Sequence, residues 1–379
     1  MTFAAFATTK PIRPPANPFA HSRRSAGGAS IGASERGHRF HQEIAMSLRA
    51  LLAAVVSTVA ASTMFLVSPA LAANAGFMLL HEPRADGPPV EVGVWYPTDA
   101  APAPMPLGSW GHVVAAGAPV VGDHLPLIVM SHGNGGFFGG HADTAQMLAE
   151  HGFIVAALTH PGDNYKDQSR ATAMADRPAA LSALIGWMLD ASPLKAKIDP
   201  DKVGAFGFSS GGFTVLAAAG GEPHLDRMPA HCKRAPNNFD CKLTAAHPLP
   251  ADIVFAKFVH DSRIKAVVSA APALGFSFGK DGLKGITAPI QLWKASDDEI
   301  LPGDEYAEAV HRDLGRPHEY HVVQGARHFD FLTPCDTAPP GASQALCASA
   351  PGFDRRAFHR DFNAQVTRFF TDQLVAPKP

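Results

Sequence analysis

Val203-Gly204-Ala205-Phe206-Gly207-Phe208-Ser209-Ser210-Gly211 decides the fold of this chain. A short apolar run enters a Gly-x-Ser-x-Gly pentapeptide, and a helix-forming stretch, residues 213–219, leaves it. Strand, sharp turn and helix together form the setting in which a serine hydroxyl stands clear of a sheet, within reach of a base. The turn crowds the backbone, so glycines sit where a Cβ would collide. In a chain with 34 glycines the same pentapeptide can also be an ordinary turn, and the surrounding segments carry the decision.

Three segments support the catalytic reading. The strand-like run 126–131 leads into His132-Gly133-Asn134-Gly135-Gly136. A loop of this composition can turn backbone N–H groups toward one point, as a tetrahedral oxyanion requires. No Gly-Lys-Ser/Thr follows, which excludes a Walker phosphate loop. A second buried-looking strand, 289–293, ends in Asp297-Asp298-Glu299 and Pro302, where an acid can orient a histidine. A third, 320–323, gives way to Gly325-Ala326-Arg327-His328. Serine, acid and histidine thus fall in the order Ser209, Asp298, His328, each after a predicted strand, with the glycine loop upstream. That order distinguishes α/β-hydrolases from other serine-hydrolase folds. Ser210, the residue after the nucleophile, supplies one expected oxyanion donor.

The length of 379 residues accommodates one large or two ordinary domains, and 46% apolar with 17% charged residues fits a globular core. The net charge of −2 is uneven. Residues 1–73 hold seven Lys/Arg and two acids, and the rest holds 25 against 32, a net −7. That leaves no electrostatic footprint for nucleic acid. Residues 1–45 are rich in Pro, Ala, Ser, Gly and Arg without periodicity, and read as a disordered or wrongly started extension. Met46, Arg49, the apolar run 51–67 and Ala70-Leu71-Ala72 then form the pattern of a secretory signal peptide over 46–73, with a membrane anchor as the alternative. The remaining chain, 74–379, is expected as one hydrolase domain, exported to the periplasm or secreted.

All four cysteines lie in that domain. Three pairings are possible. Cys232–Cys241 and Cys335–Cys347 are favoured because each pair brackets one short polar or Pro-containing loop, and export permits disulfides. Along the chain, strands are predicted at 90–96, 127–130, 153–158, 203–206, 264–269, 290–293 and 321–323. Helices are predicted at 141–152, 177–189, 213–219, 305–313 and 355–374. The alternation implies a mostly parallel sheet with helices on both faces. Residues 97–119 read as a loop. Residues 221–262 break the alternation and read as an insertion or partial cap, with Phe255 and Phe258 as a possible apolar wall.

At Val94-Trp95-Tyr96-Pro97, Ser131-His132-Gly133, Gly207–Gly212 and the His328 segment the chain resembles the α/β-hydrolase superfamily. More narrowly, over residues 76–375, it resembles the bacterial group related to dienelactone hydrolases and platelet-activating-factor acetylhydrolases. Dienelactone hydrolases proper use a cysteine nucleophile, whereas this elbow holds Ser209, which moves the expectation to ester hydrolysis. The resemblance prefers Asp298 to Asp297, since those families often place a proline four residues after the acid, here Pro302. It also assigns the second oxyanion donor to the N–H of Asn134. His132, Gly133, His160 and Phe208 are candidate pocket residues. No cofactor or metal is needed, and the expected partner is a small-molecule or lipid ester. The alternatives are a lipase or polyester hydrolase, a peptidase or amidase of the same superfamily, and a non-catalytic binding protein.

Overall fold

A computed structural model describes residues 74–376, apart from 86, 108–109, 250–255 and 336–340. The signal-peptide and extension readings, and Phe255, lie outside the described residues. Ten strands form one sheet in the order β10-β9-β8-β7-β5-β6-β2-β1-β4-β3. They are β1 Asn74–Glu82, β2 Val90–Thr98, β3 Ala103–Leu107, β4 Trp110–Ala116, β5 Leu125–Ser131, β6 Ile154–Leu158, β7 Ile198–Phe208, β8 Ile264–Ala270, β9 Ile290–Ala295 and β10 Glu319–Val323. From β6 to β10 across the sheet the neighbours are parallel, and β2 pairs antiparallel with both β6 and β1. The architecture is that of an α/β-hydrolase.

The continuous apolar runs of the parallel strands follow from burial on both faces. Alternate residues feed two separate cores. Leu127, Val129, Val203, Ala205 and Val267 pack on one side. Ile128, Met130, Phe206, Phe208 and Val268 pack on the other. Helices α1 (Ala142–Glu150) and α8 (Arg355–Leu374) cover the second face, and α2 (Asp176–Asp190) and α3 (Ser210–Ala218) the first. In α8 the buried Phe362, Val366, Phe369 and Phe370 recur at helical spacing. Its start is capped by Asp354, whose side chain accepts from the Ala357 N–H.

Residues 97–119 are not a loop, as their prolines led us to expect, but largely a hairpin of β3 and β4. Pro104 and Pro106 sit opposite Val113 and Gly111 on β3, the sheet's outermost strand. A residue without an N–H is tolerated on an edge, where no further strand needs the donor. Strand β1 was also missed. The described part of the insertion includes α4 (Met228–Arg234) and α5 (Phe239–Ala246), stapled by the Cys232–Cys241 disulfide. The second disulfide joins Cys335 to Cys347. Phe258 is not a pocket wall: it is buried edge-on against Phe213 of α3, inside the core. Helices α6 (Gly279–Gly282) and α7 (Ala307–Asp313) complete the described elements of more than three residues in α conformation.

Candidate active site

Strand β7 ends at Phe208, and Ser209 turns the chain into α3 with φ 57° and ψ −118°. A non-glycine residue in that region carries roughly 1–3 kcal/mol of strain and persists only where its surroundings hold it. Here the Ser209 N–H donates to the Ala270 carbonyl at 2.9 Å, and the Ser209 carbonyl accepts from Ala273 at 3.0 Å and Phe213 at 3.1 Å. The flanking glycines are steric necessities. A Cβ on Gly207 would lie 2.0 Å from the Gly211 carbonyl oxygen, and one on Gly211 would lie 1.8 Å from that of Ser131. Of the four described non-glycine residues with positive φ, three (Ser209, Ala271 and Leu274) gather at this site.

The elbow meets the other two candidates. His328 Nε2 lies 3.0 Å from Ser209 Oγ, and His328 Nδ1 lies 2.8 Å from Asp298 Oδ2. An ionised carboxylate only accepts, so Nδ1 carries the proton and Nε2 is free to accept the serine hydroxyl. The other carboxylate oxygen of Asp298 accepts the N–H groups of Ile300 at 3.0 Å and Leu301 at 2.7 Å. Burial opposes the charge on Asp298, but His328 and these N–H donors outweigh it and hold the carboxyl below its ordinary range. Asp297 is exposed and accepts from the Ser296 hydroxyl, away from any histidine. The His328 N–H donates to Glu299 at 3.2 Å, a contact the sequence reading did not anticipate. The His328 ring is braced by Phe208, with ring centroids 4.8 Å apart.

The glycine loop after β5 packs directly on the elbow. A Cβ on Gly133 would meet Ser209 Cβ at 3.3 Å. Among the described residues no acceptor pairs with the Asn134 N–H, whereas the Gly135 N–H and the Asn134 side-chain amide are both held by Asp163. Ser210 opens α3, and first-turn N–H groups have no intrahelical acceptor. His132, His160 and Phe208 do not line the cleft, because each is packed beneath it. His132 Nδ1 donates to the Gly133 carbonyl at 2.6 Å, and its Nε2 accepts the His160 N–H at 2.9 Å. Burial and the nearby Arg177 hold both rings well below the ordinary histidine value, hence neutral. His160 Nε2 is paired with the Ser131 hydroxyl at 2.8 Å.

A cleft opens at Ser209 and Ser210. The insertion contributes Met228, Phe239, Leu243 and Leu249, and the sheet side contributes Leu274 and Leu301. The insertion is anchored to the loop that follows Asp298. His231 of α4 stacks on Phe276 at 4.0 Å and reaches Glu305 at 2.7 Å and Asp240 at 3.1 Å. The Tyr306 hydroxyl donates to Asp240 at 3.0 Å, and Arg234 pairs with Glu305. Asp240, His231 and Cys241 stand close enough to suggest a metal, but the Cys241 sulfur is consumed by its disulfide. Burial disfavours a charged His231, yet Asp240 and Glu305 win and raise its pKa above the ordinary 6.5. The stability this cluster contributes is therefore full below pH 6.5 and is lost as pH rises through the raised value. Urea midpoints should fall as pH is taken upward from 6.5, and His231→Asn should flatten that slope. An unchanged slope in the variant would assign the pH dependence elsewhere.

The fold is that of the α/β-hydrolases, and its elbow brings a serine, a histidine and a carboxylate into one hydrogen-bonded row. Residues 86–235 match the family model of the X-Pro dipeptidyl-peptidase (S15 family). That span includes the glycine loop and Ser209 but ends before Asp298 and His328. Platelet-activating factor acetylhydrolase of the guinea pig, Cavia porcellus, is 27% identical over 25% of this chain and 32% of its own length. The same enzyme of the dog, Canis lupus familiaris, is 30% identical over 26% of this chain and 32% of its own. The chain thus matches about a third of the length of these curated relatives. Among solved structures, a ferulic acid esterase from Streptomyces cinnamoneus superposes with a TM-score of 0.55 at 19% identity, over 83% of this chain and 94% of that one. At that identity the likeness speaks for the fold alone. Among the described residues no helix is long and apolar enough to cross a membrane.

Proposed function

We propose that the protein is a serine esterase that cleaves short-acyl carboxylic esters, with Ser209, His328 and Asp298 as its triad. One observation carries this reading: the unbroken chain of hydrogen bonds from Ser209 Oγ through His328 to Asp298, at the mouth of an apolar cleft. Ser209 Oγ bonds to the ester carbonyl carbon while its proton passes to His328 Nε2, and the carbonyl electron pair moves onto oxygen. The N–H groups of Ser210 and Asn134 receive that oxyanion. Collapse expels the alcohol, which takes the proton from Nε2. Water then repeats the sequence on the acyl-enzyme and releases the acid. Asp298 keeps the imidazole in the accepting tautomer and stabilises its charged form. The likeness to platelet-activating factor acetylhydrolases supports a small acyl group. The two disulfides support an oxidising compartment outside the cytoplasm.

The test is hydrolysis of p-nitrophenyl esters from acetyl to palmitoyl, with Ser209→Ala as control. Serine-dependent turnover that declines with chain length is the expected result. Turnover rising toward palmitoyl would replace the short-acyl reading by a lipase-like one. The S15 family match favours a second reading, amide cleavage. Faster serine-dependent release from X-Pro p-nitroanilides than from any ester would establish it.

A further inference from the structure

We propose that the buried ion pair of Arg177 and Asp163 is a positioning device that sets both oxyanion donors at once, an inference that rests on the esterase reading above. Arg177 lies in the first turn of α2 and is 2% exposed, and Asp163 lies in the loop after β6 and is 1% exposed. Neither touches the cleft, and neither belongs to the triad. One guanidinium nitrogen of Arg177 pairs with Asp163 Oδ2. Its partner oxygen, Oδ1, accepts the Asn134 side-chain amide at 2.7 Å and the Gly135 N–H at 2.8 Å. The second guanidinium nitrogen donates to the His132 carbonyl.

These bonds hold two peptide units, His132–Gly133 by its oxygen and Asn134–Gly135 by its nitrogen. The unit between them, Gly133–Asn134, carries the N–H assigned to the oxyanion. A Gly-Asn-Gly-Gly segment left to itself samples many conformations. Pinned on both sides, its middle peptide retains little freedom. The third branch reaches the other donor. Arg177 Nε donates to Thr214 Oγ1 at 3.1 Å, and that hydroxyl donates to the Ser210 carbonyl at 2.7 Å. The first turn of α3, which presents the Ser210 N–H, is thereby tied to the same guanidinium. Only arginine offers donors in a rigid fork able to serve a carboxylate, a carbonyl and a hydroxyl together.

A buried ion pair is weak ground for stability, since an apolar replacement often serves as well. Preorganised donors, in contrast, act only while they stay aimed at the point where charge develops. The full chain carrying Asp163→Asn, Arg177→Lys or Thr214→Val would be titrated to completion with a fluorophosphonate to count active sites. On p-nitrophenyl acetate, kcat per titrated site should fall about 10²-fold for Asp163→Asn, as a donor shifted by an ångström would cause. Thr214→Val should cost about tenfold, the effect of one hydrogen bond. Arg177→Lys should fall between the two. KM should stay within about twofold, because ground-state binding does not use the oxyanion. Inhibition by a trifluoromethyl ketone, which forms the oxyanion on Ser209, should weaken in parallel with kcat. If Asp163→Asn fails to fold, Thr214→Val and Arg177→Lys decide, since neither leaves a buried charge alone. Wild-type kcat per titrated site in those two overturns the proposal while leaving the esterase reading intact. Absence of serine-dependent turnover in the wild type overturns both.

Discussion

Ser209→Ala is expected to lower kcat on a short ester by about 10⁶-fold, as removal of a triad nucleophile does where base and acid remain. That corresponds to roughly 8 kcal/mol of barrier. The protein should stay folded, since alanine adds no atom to the elbow and the three backbone hydrogen bonds that hold residue 209 survive the change. A residual rate above that of water is expected from the oxyanion donors and substrate binding alone. Steady-state rates at equal folded fraction, followed by circular dichroism, check this. A loss of less than tenfold would place the nucleophile elsewhere in the cleft. His328→Ala would then be the next variant to measure, because its imidazole has no other hydroxyl partner among the described residues.

Asp298→Asn should reduce kcat by about 10⁴-fold, because an amide in that place lets the imidazole adopt the wrong tautomer. Asp297→Asn should change it by less than about twofold, since that exposed side chain accepts a hydrogen bond from Ser296 and none from a histidine among the described residues. The pair of variants discriminates two adjacent carboxylates that composition alone treats as equal. Asp298 also carries a stability signature. Its carboxyl is held below the ordinary value, so the stabilisation it contributes is present at neutral pH and disappears as acid protonates it. Asp298→Asn should therefore weaken acid unfolding below about pH 4 as well as slow turnover. Equal losses from Asp297→Asn and Asp298→Asn would show that the loop, rather than one carboxylate, is what the histidine requires.

Much of the sheet was legible because local pattern and tertiary role agree there. Buried parallel strands must be apolar on both faces, so 127–130, 153–158, 203–206 and 264–269 stand out as unbroken runs. Helix α8 announced itself through its phenylalanine and valine spacing. The hairpin β3–β4 was hidden because proline is a poor strand former everywhere except at an edge, and edge position is a property of the whole sheet. Phe258 looked like a pocket wall because an aromatic in an insertion has no local sign of which way it faces.

For the site, chain order and residue type determined the candidates. A serine between glycines, an acid after a strand and a histidine after the last strand are each local features with a local steric or chemical reason. The two disulfides followed from the short polar or Pro-containing loop that each pair of cysteines brackets. Tertiary structure set Asp298, which the resemblance had preferred through Pro302, against the imidazole, and it decided what spacing cannot, that His132 and His160 lie beneath the cleft rather than in it. It alone brought Asp163, Arg177 and Thr214 together behind the glycine loop, across 51 positions of sequence, where none has a local motif. The reason is physical. Turn strain and strand burial are written in neighbouring residues, whereas a buried charge is tolerated only where distant partners converge on it, and that convergence exists only in the folded chain.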